Sequence, residues 1–335
     1  MSDPIPADTL SDVLRTVRLT GTLFFMMDLS SPWEAELPDG ATLASKTFPW
    51  AQHVISYHVV TAGACWGGLV DEAPVRLEAG DVLVLPRGDA YFISTAPVMR
   101  HRQDLTAELT FLREMAAGRL PFVVKDGGGG PASLNLVCGF LGCDVMPFNP
   151  LLSTLPRLLH VRGFCGASGG RASRLVELAL EESRERKAGG ECIRLHLSEL
   201  MFVEVVRGYL ASLSAEHTGW LAGLRDPIVA RALALVHERP DQSWTLAELA
   251  RTVGSSRSTL AERFTHFVGI PPMQYLTQWR MQLASRLLAD GAAKVSAVGR
   301  EVGYDSEAAF SRAFKKVAGE SPARWRTRRA TGLPS

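Results

Sequence analysis

The sequence predicts an α+β multidomain protein, strand-rich in its first half and all-α in its last third. Three observations carry this. Between Gly21 and about residue 145, runs of Thr, Val, Tyr and Phe are broken by Pro, Gly and Asp, the pattern of many short strands. From about residue 171 the apolar period becomes helical. The last third then repeats itself. Arg251-Thr-Val-Gly254 returns as Arg300-Glu-Val-Gly303, Leu260-Ala-Glu-Arg-Phe264 as Phe310-Ser-Arg-Ala-Phe314, and Gly269-Ile-Pro-Pro272 as Gly319-Glu-Ser-Pro322.

The elements follow in order. Residues 8–19 read as a short helix with Leu10, Val13, Leu14 and Val17 on one face. Candidate strands are Thr22–Leu29, Ile55–Ala62, Ala64–Val70, Asp81–Leu85 and Leu134–Phe140, spaced as in a sandwich or small barrel. Gly127–Gly130 reads as a flexible loop; it lacks the Lys-Ser/Thr and following helix of a phosphate-binding loop. Ser173–Lys187 and Ile193–Leu213 read as helices, the second with Leu197, Leu200, Met201 and Val205 on one stripe. That stripe serves either an internal core or a dimer seam. His217–Arg225 reads as a linker, and Asp226-Pro227 opens the next helix with a cap and an N1 proline.

In the first repeat, Thr245 caps a helix with Glu248 three residues on. Leu246, Leu249, Ala250 and Val253 face a core, and Gly254 supplies the turn. In the helix that follows, Leu260, Phe264 and Phe267 point inward, while Arg257, Ser258, Ala261, Glu262 and Arg263 point outward. In the second repeat Val295, Val298 and Val302 are inward before Gly303, then Phe310, Phe314 and Val317. Glu307, Ala308, Ser311, Arg312, Lys315 and Lys316 are outward. Met273–Ala289, with Leu276, Trp279, Leu283 and Leu287 on one side, reads as a strut between the copies. Two such units place two reading helices on successive major-groove turns, about 34 Å apart.

At 335 residues the chain has room for about two domains. Its net charge of +1 hides a split: Arg225 to Ser335 holds 17 Lys/Arg against 10 Asp/Glu, and the rest 19 against 25. A basic module joined to an acidic one fits phosphate attraction confined to one end. All five cysteines precede residue 193. The first residues lack a basic segment before an apolar one, and no apolar run reaches a membrane span. A cytoplasmic protein with reduced thiols, away from membranes, is expected.

The segment from Asp226 to Arg328 closely resembles the AraC/XylS family of bacterial transcription regulators. The carrying residues are Ala247-x-x-Ala250-x-x-Val253-Gly254, Ser258-x-Leu260-x-x-x-Phe264, Gly269-x-x-Pro272-x-x-Tyr275-Leu276, Trp279-Arg280-Met281 and Leu287-Leu288. The second copy adds Val302-Gly303-Tyr304-x-Ser306-x-x-x-Phe310-Ser311-Arg312-x-Phe314-Lys315, then Gly319-x-Ser321-Pro322 and Trp325-Arg326. Residues 20–215 resemble the cupin-type sensor of a subgroup of that family, through Gly80-Asp81-x-x-x-x-Pro86-x-Gly88-Asp89, Cys138-Gly139 and Pro150-Leu151-Leu152-x-x-Leu155-Pro156.

The resemblance implies a cupin-like β-barrel sensor over 1–170, a helical dimerisation segment and linker over 171–224, and a double helix-turn-helix domain over 225–328, with units at about 245–267 and 295–317. It implies promoter DNA as partner, a homodimer, a small effector, and RNA polymerase as a further contact. Base contacts would come from Ser258 and Glu262, with Arg257 nearby, and from Glu307, Ala308 and Arg312. The chemistry agrees: Arg chelates guanine and Glu accepts from cytosine. Arg257, Arg263, Lys315 and Lys316 suit phosphates, which set register.

In the sensor, Gly80, Pro86 and Gly88 fit the second cupin motif, but its His position holds Tyr91. His53 and His58 are five apart and miss the usual His-x-His pairing. A neutral Tyr is a poor ligand for a divalent metal, so no metal, cofactor or catalysis is expected, and His58, Trp66 and Tyr91 are candidates for an effector pocket. A metal-dependent cupin enzyme and a thiol-based redox sensor using Cys138 and Cys143 are the alternatives. Those two cysteines are too far apart in sequence for a Cys-x-x-Cys motif.

Overall fold

The computed structural model describes residues 8–16, 19–48, 51–97, 104–143, 147–165, 170–185, 187–213, 217–289, 291 and 293–330. Along the chain run α1 (Thr9–Thr16), β1 (Leu19–Ser30), β2 (Glu34–Leu37), α2 (Gly40–Lys46), β3 (His53–Ala62), β4 (Ala64–Leu69), β5 (Val75–Glu78), β6 (Val82–Leu85), β7 (Tyr91–Ser94), α3 (Thr106–Ala116), β8 (Val123–Gly127), β9 (Ser133–Cys143), α4 (Pro150–Thr154), β10 (Leu159–Val161), α5 (Arg171–Glu185) and α6 (Gly190–Ser212). The helical end adds α7 (Trp220–Gly223), α8 (Pro227–Glu238), α9 (Leu246–Thr252), α10 (Arg257–Val268), α11 (Pro272–Ala289), α12 (Val295–Glu301), α13 (Glu307–Ala318) and α14 (Pro322–Ala330).

The described residues of Leu19–Asp144 and Leu155–Ser212 form one compact unit; those of Met1–Arg18, Val145–Thr154 and Leu213–Ser335 form the other. Helices α1 and α4 thus belong to the same compact unit as the helical end.

The strand-rich unit has a six-stranded sheet, ordered β10-β6-β3-β9-β1-β8, and a four-stranded sheet, ordered β2-β7-β4-β5. Pairing is antiparallel except for β1 with β8. All five expected strands form, with ends shifted by a few residues. Period two sends Phe25 and Met27 of β1, with Leu136, Cys138 and Phe140 of β9, into a core shared with Leu69, Tyr91 and Ile93 of the smaller sheet. The opposite face of the large sheet is covered by α6. There the Tyr57 hydroxyl meets Ser198 Oγ at 2.7 Å. Gly139 opposite is required, since a Cβ there would lie 2.0 Å from the Tyr57 ring. Burial on both faces turns β3 and β9 into near-continuous apolar runs. Gly127, read as loop, ends strand β8.

The stripe on α6 divides. Leu197, Met201 and Val205 are buried, whereas Leu200 is 50% exposed. The stripe is therefore mainly internal core. Leu200 shares exposure with Ile193 and with Leu178 of α5.

In the helical unit the expected linker is structured. Trp220 of α7 is buried and its Nε1 donates to the Tyr275 hydroxyl at 2.9 Å. Helix α11 is buried on nearly every side, through Tyr275, Leu276, Trp279, Met281, Ala284 and Leu288, rather than on the single side expected. It lies within a helical bundle, which leaves few of its positions, such as Gln274 and Arg286, exposed. Its polar Gln282 is buried too, and accepts from the Phe148 N–H at 3.0 Å. Arg286, one turn on, donates to the Arg15 carbonyl of α1 at 3.3 Å. Val17 lies outside the described residues.

Candidate nucleic-acid interface

Each repeat forms a helix, a tight turn and a second helix. In the first, Thr245 and Glu248 make the reciprocal cap on α9: Thr245 Oγ1 accepts from the Glu248 N–H at 3.1 Å, and Glu248 accepts from the Thr245 N–H at 2.9 Å. Gly254 turns with φ +75°. Ser256 then caps α10, its Oγ accepting from the Thr259 N–H at 3.1 Å. The second repeat reproduces this with Gly303 at φ +83° and Ser306 Oγ accepting from the Ala309 N–H at 3.2 Å. Both second helices end on left-handed glycines, Gly269 and Gly319.

Leu260 and Phe264 anchor α10; Phe310 and Phe314 anchor α13. What remains faces solvent. On α10 this leaves Arg257, Ser258 and Glu262 exposed; on α13, Glu307, Ala308, Arg312, Lys315 and Lys316, with Ser311 half-buried. Arg263 has another task. It ion-pairs with the buried carboxylate of Asp226, the residue that caps α8. The Arg263 guanidinium and two backbone N–H groups hold that carboxyl below its ordinary range, although burial pushes it up. Arg263 thus ties α10 to α8, while its side chain stays 45% exposed.

Arg280, part of the Trp279-Arg280-Met281 motif, has a structural role that its neighbours in sequence do not reveal. From α11 its Nε donates to the Pro240 carbonyl at 2.6 Å and its Nη2 to that of Gln242 at 2.9 Å, while its guanidinium lies 5.6 Å from the Tyr304 ring centroid. It joins the loop before the first repeat to the turn of the second.

In the strand-rich unit, a cavity of about 970 Å³ opens beside the core. Of the three nominated pocket residues, His58 lines it and the other two do not. Tyr91 stands behind His58, its hydroxyl 2.7 Å from Nε2, while Nδ1 lies 3.2 Å from Cys138 Sγ. Burial lowers the His58 pKa to about 3, so the ring is neutral. Trp66 alternates along β4 with Cys65 and Leu69, which face the core, and so turns to the other side of its sheet. Trp33 lines the cavity instead, with its Nε1 donating to Asp126 at 3.0 Å. Glu108, Phe111 and Leu112 of α3 also line it. The sequence gives little sign of them, because Leu105, at the N-cap of α3, makes no side-chain cap.

The two nominated redox cysteines do not suit that role. Both are buried on β9, five residues apart, hence on opposite faces and about 16 Å from each other, too far for a disulfide. Burial also pushes the Cys138 thiol well up, away from the reactive thiolate. The exposed thiol is Cys192.

Comparison with known proteins agrees with this anatomy. Residues 8–211 match the cupin family and residues 249–328 the helix-turn-helix domain family. An AraC-like transcription regulator of Streptomyces antibioticus is 34% identical over 281 residues, covering 82% of this chain and 88% of its own. Another, from Streptomyces lividans, is 32% identical over 325 residues, covering 95% and 98%. The DNA-binding domain of AdpA, solved in complex with a target DNA, is 31% identical over 32% of this chain and 96% of its own, with a TM-score of 0.30. A cupin followed by a duplicated helix-turn-helix defines a DNA-binding transcription regulator. The chain belongs to the AraC-like transcription regulators.

Proposed function

We propose that this chain is a one-component regulator that reads a promoter with α10 and α13 and is controlled by a small effector in the cupin unit. The carrying observation is the pair of capped, solvent-facing second helices, alike in geometry and unlike in charge. In this reading Arg312 chelates guanine, and Lys315, Lys316 and Arg257 meet phosphates, which their exposure supports. Ser258, Glu262, Glu307, Ala308 and Ser311 complete the reading surfaces. The two carboxylates add discrimination, since an unmatched one near phosphate is repelled.

The effector acts by preferring one arrangement of the cupin unit and so changing occupancy of paired sites. Pairing of two subunits runs through α5 and α6, where Leu178, Ile193 and Leu200 are exposed. The protein works in the cytoplasm, beside RNA polymerase, and is not an enzyme: the cupin wall carries Tyr91 where a metal-binding His is usual, and that hydroxyl is engaged by His58. Among the described residues no helix is long and apolar enough to cross a membrane.

The test is fluorescence anisotropy on the DNA upstream of the chain's own gene, across a salt series. Wild-type affinity falls steeply with salt, and Arg312→Ala weakens it by roughly 10- to 100-fold. A flat salt response with an unaffected variant contradicts the reading.

A further inference from the structure

We propose that Cys192 and His196 of α6 form half of a zinc-type metal site, which a second copy of this chain completes. The inference rests on the reading that two subunits pair through α5 and α6, and it names what joins them.

Both side chains lie on the exposed side of α6. They stand one helical turn apart, at i and i+4, where side chains sit one above the other. Cys192 Sγ lies 3.7 Å from His196 Nδ1. A tetrahedral ion holding a thiolate at about 2.3 Å and an imidazole at about 2.0 Å keeps those two donors about 3.5 Å apart. The pair therefore needs little movement to grip one ion. The same Nδ1 lies 2.8 Å from the Cys192 carbonyl oxygen, a contact that holds the ring beside the thiol. On coordination through Nδ1 the ring proton sits on Nε2, and the thiol proton leaves to solvent.

The donors decide the class of ion. Thiolate with imidazole suits zinc and its neighbours, whereas magnesium and calcium prefer oxygen. Two donors are half of what a structural zinc requires. Among the described residues no group of three or more His, Cys, Asp or Glu side chains could hold a metal within the chain. Symmetry supplies the missing half. A two-fold axis presents one patch to itself, and would bring the same pair from a second copy to the same ion. Two thiolates and two imidazoles make a closed tetrahedral set. The flanks of the pair fit such a contact. Ile193 and Leu200 are 47% and 50% exposed, and Leu200 continues the ridge of Cys192 and His196 at i+8. A second copy seated on the ion would cover this apolar surface.

The experiment uses the full-length protein, stripped of metal with a chelator, and Co²⁺ and Zn²⁺ as probes. Co²⁺ should raise a thiolate-to-cobalt absorption band that saturates at one ion per two chains. Zn²⁺ should tighten self-association at least about tenfold in sedimentation, since an ion held only by the dimer favours it by mass action. Cys192→Ser should abolish the band, and His196→Ala should cut the zinc effect to less than about threefold. Absence of the band, saturation at one ion per chain, a band that survives Cys192→Ser, or self-association indifferent to zinc overturns the proposal. A dimer that Leu200→Glu dissociates, but that neither ion affects, overturns the metal site and leaves pairing through α6 standing. A chain that stays monomeric with and without metal overturns the pairing reading as well.

Discussion

Among single residues, the division of labour on α10 is the most informative. Arg257 and Arg263 lie on one helix, but only Arg263 is bound to a buried acid. Arg263→Ala is expected to lower the urea midpoint of unfolding and to leave base preference alone. Arg257→Ala is expected to leave the midpoint unchanged and to weaken all sequences alike, with a shallower salt slope. Two buried histidines set the acid behaviour. Burial holds His58 and His237 to pKa values of about 3, against 6.5 for the free side chain. The unfolded chain therefore binds more protons between these values, and stability falls as pH drops through that window. Each histidine contributes a slope of up to about 1.4 kcal/mol per pH unit. Urea midpoints measured from pH 7 down to pH 4 should decline; a constant midpoint contradicts the neutral, buried assignment. Neither role was legible in sequence. Arg263 looked like any outward Arg, and its partner lies 37 positions away in the chain.

At the scale of elements, the joint between the two repeats is held by Gly303, Arg280 and the loop around Asp241. A Cβ on Gly303 would lie 2.5 Å from the Asp241 carbonyl and 2.7 Å from Arg280, at φ +83°. Gly254, the equivalent turn at φ +75°, has open space around it. Gly254→Ala should cost about 1 kcal/mol in backbone strain alone, and Gly303→Ala distinctly more, measured by urea unfolding. Equal losses would mean the joint has slack. The paired glycines and caps were plain in the sequence, because turn and cap chemistry is local. So were β1, β3 and β9, whose alternation persists over enough residues to read. Strands β2, β5, β7, β8 and β10 were not anticipated; at three to five residues each they are too short for a period. Gln282 resembled a solvent position on a one-sided helix, since nothing nearby in sequence reveals that Phe148 covers it.

At the scale of the whole molecule, each compact unit is discontinuous in sequence. The chain passes between its two compact units four times, and α1 and the α4 segment return to the helical one. Tyr275, Gln282 and Arg286, at i, i+7 and i+11 of α11, receive Phe148 and the Arg15 carbonyl on one stripe. A fragment starting at Leu213 lacks both covers and should melt below the full-length protein's helical unit. Hydrogen exchange on α11 would register the loss, and equal protection would contradict it. Pairing is tested by Leu200→Glu with Ile193→Glu, which should convert a dimer to a monomer in sedimentation without unfolding it. The sequence revealed the two reading helices but not this weaving, which depends on contacts more than a hundred residues apart.

The proposed grip of α13 on DNA runs through Arg312 and its lysines. Promoter affinity of wild type and Arg312→Ala, compared across a salt series, tests it most directly. A steep salt slope, a roughly 10- to 100-fold weaker variant and loss of preference at one base pair are expected. Equal affinity at every salt concentration would contradict it.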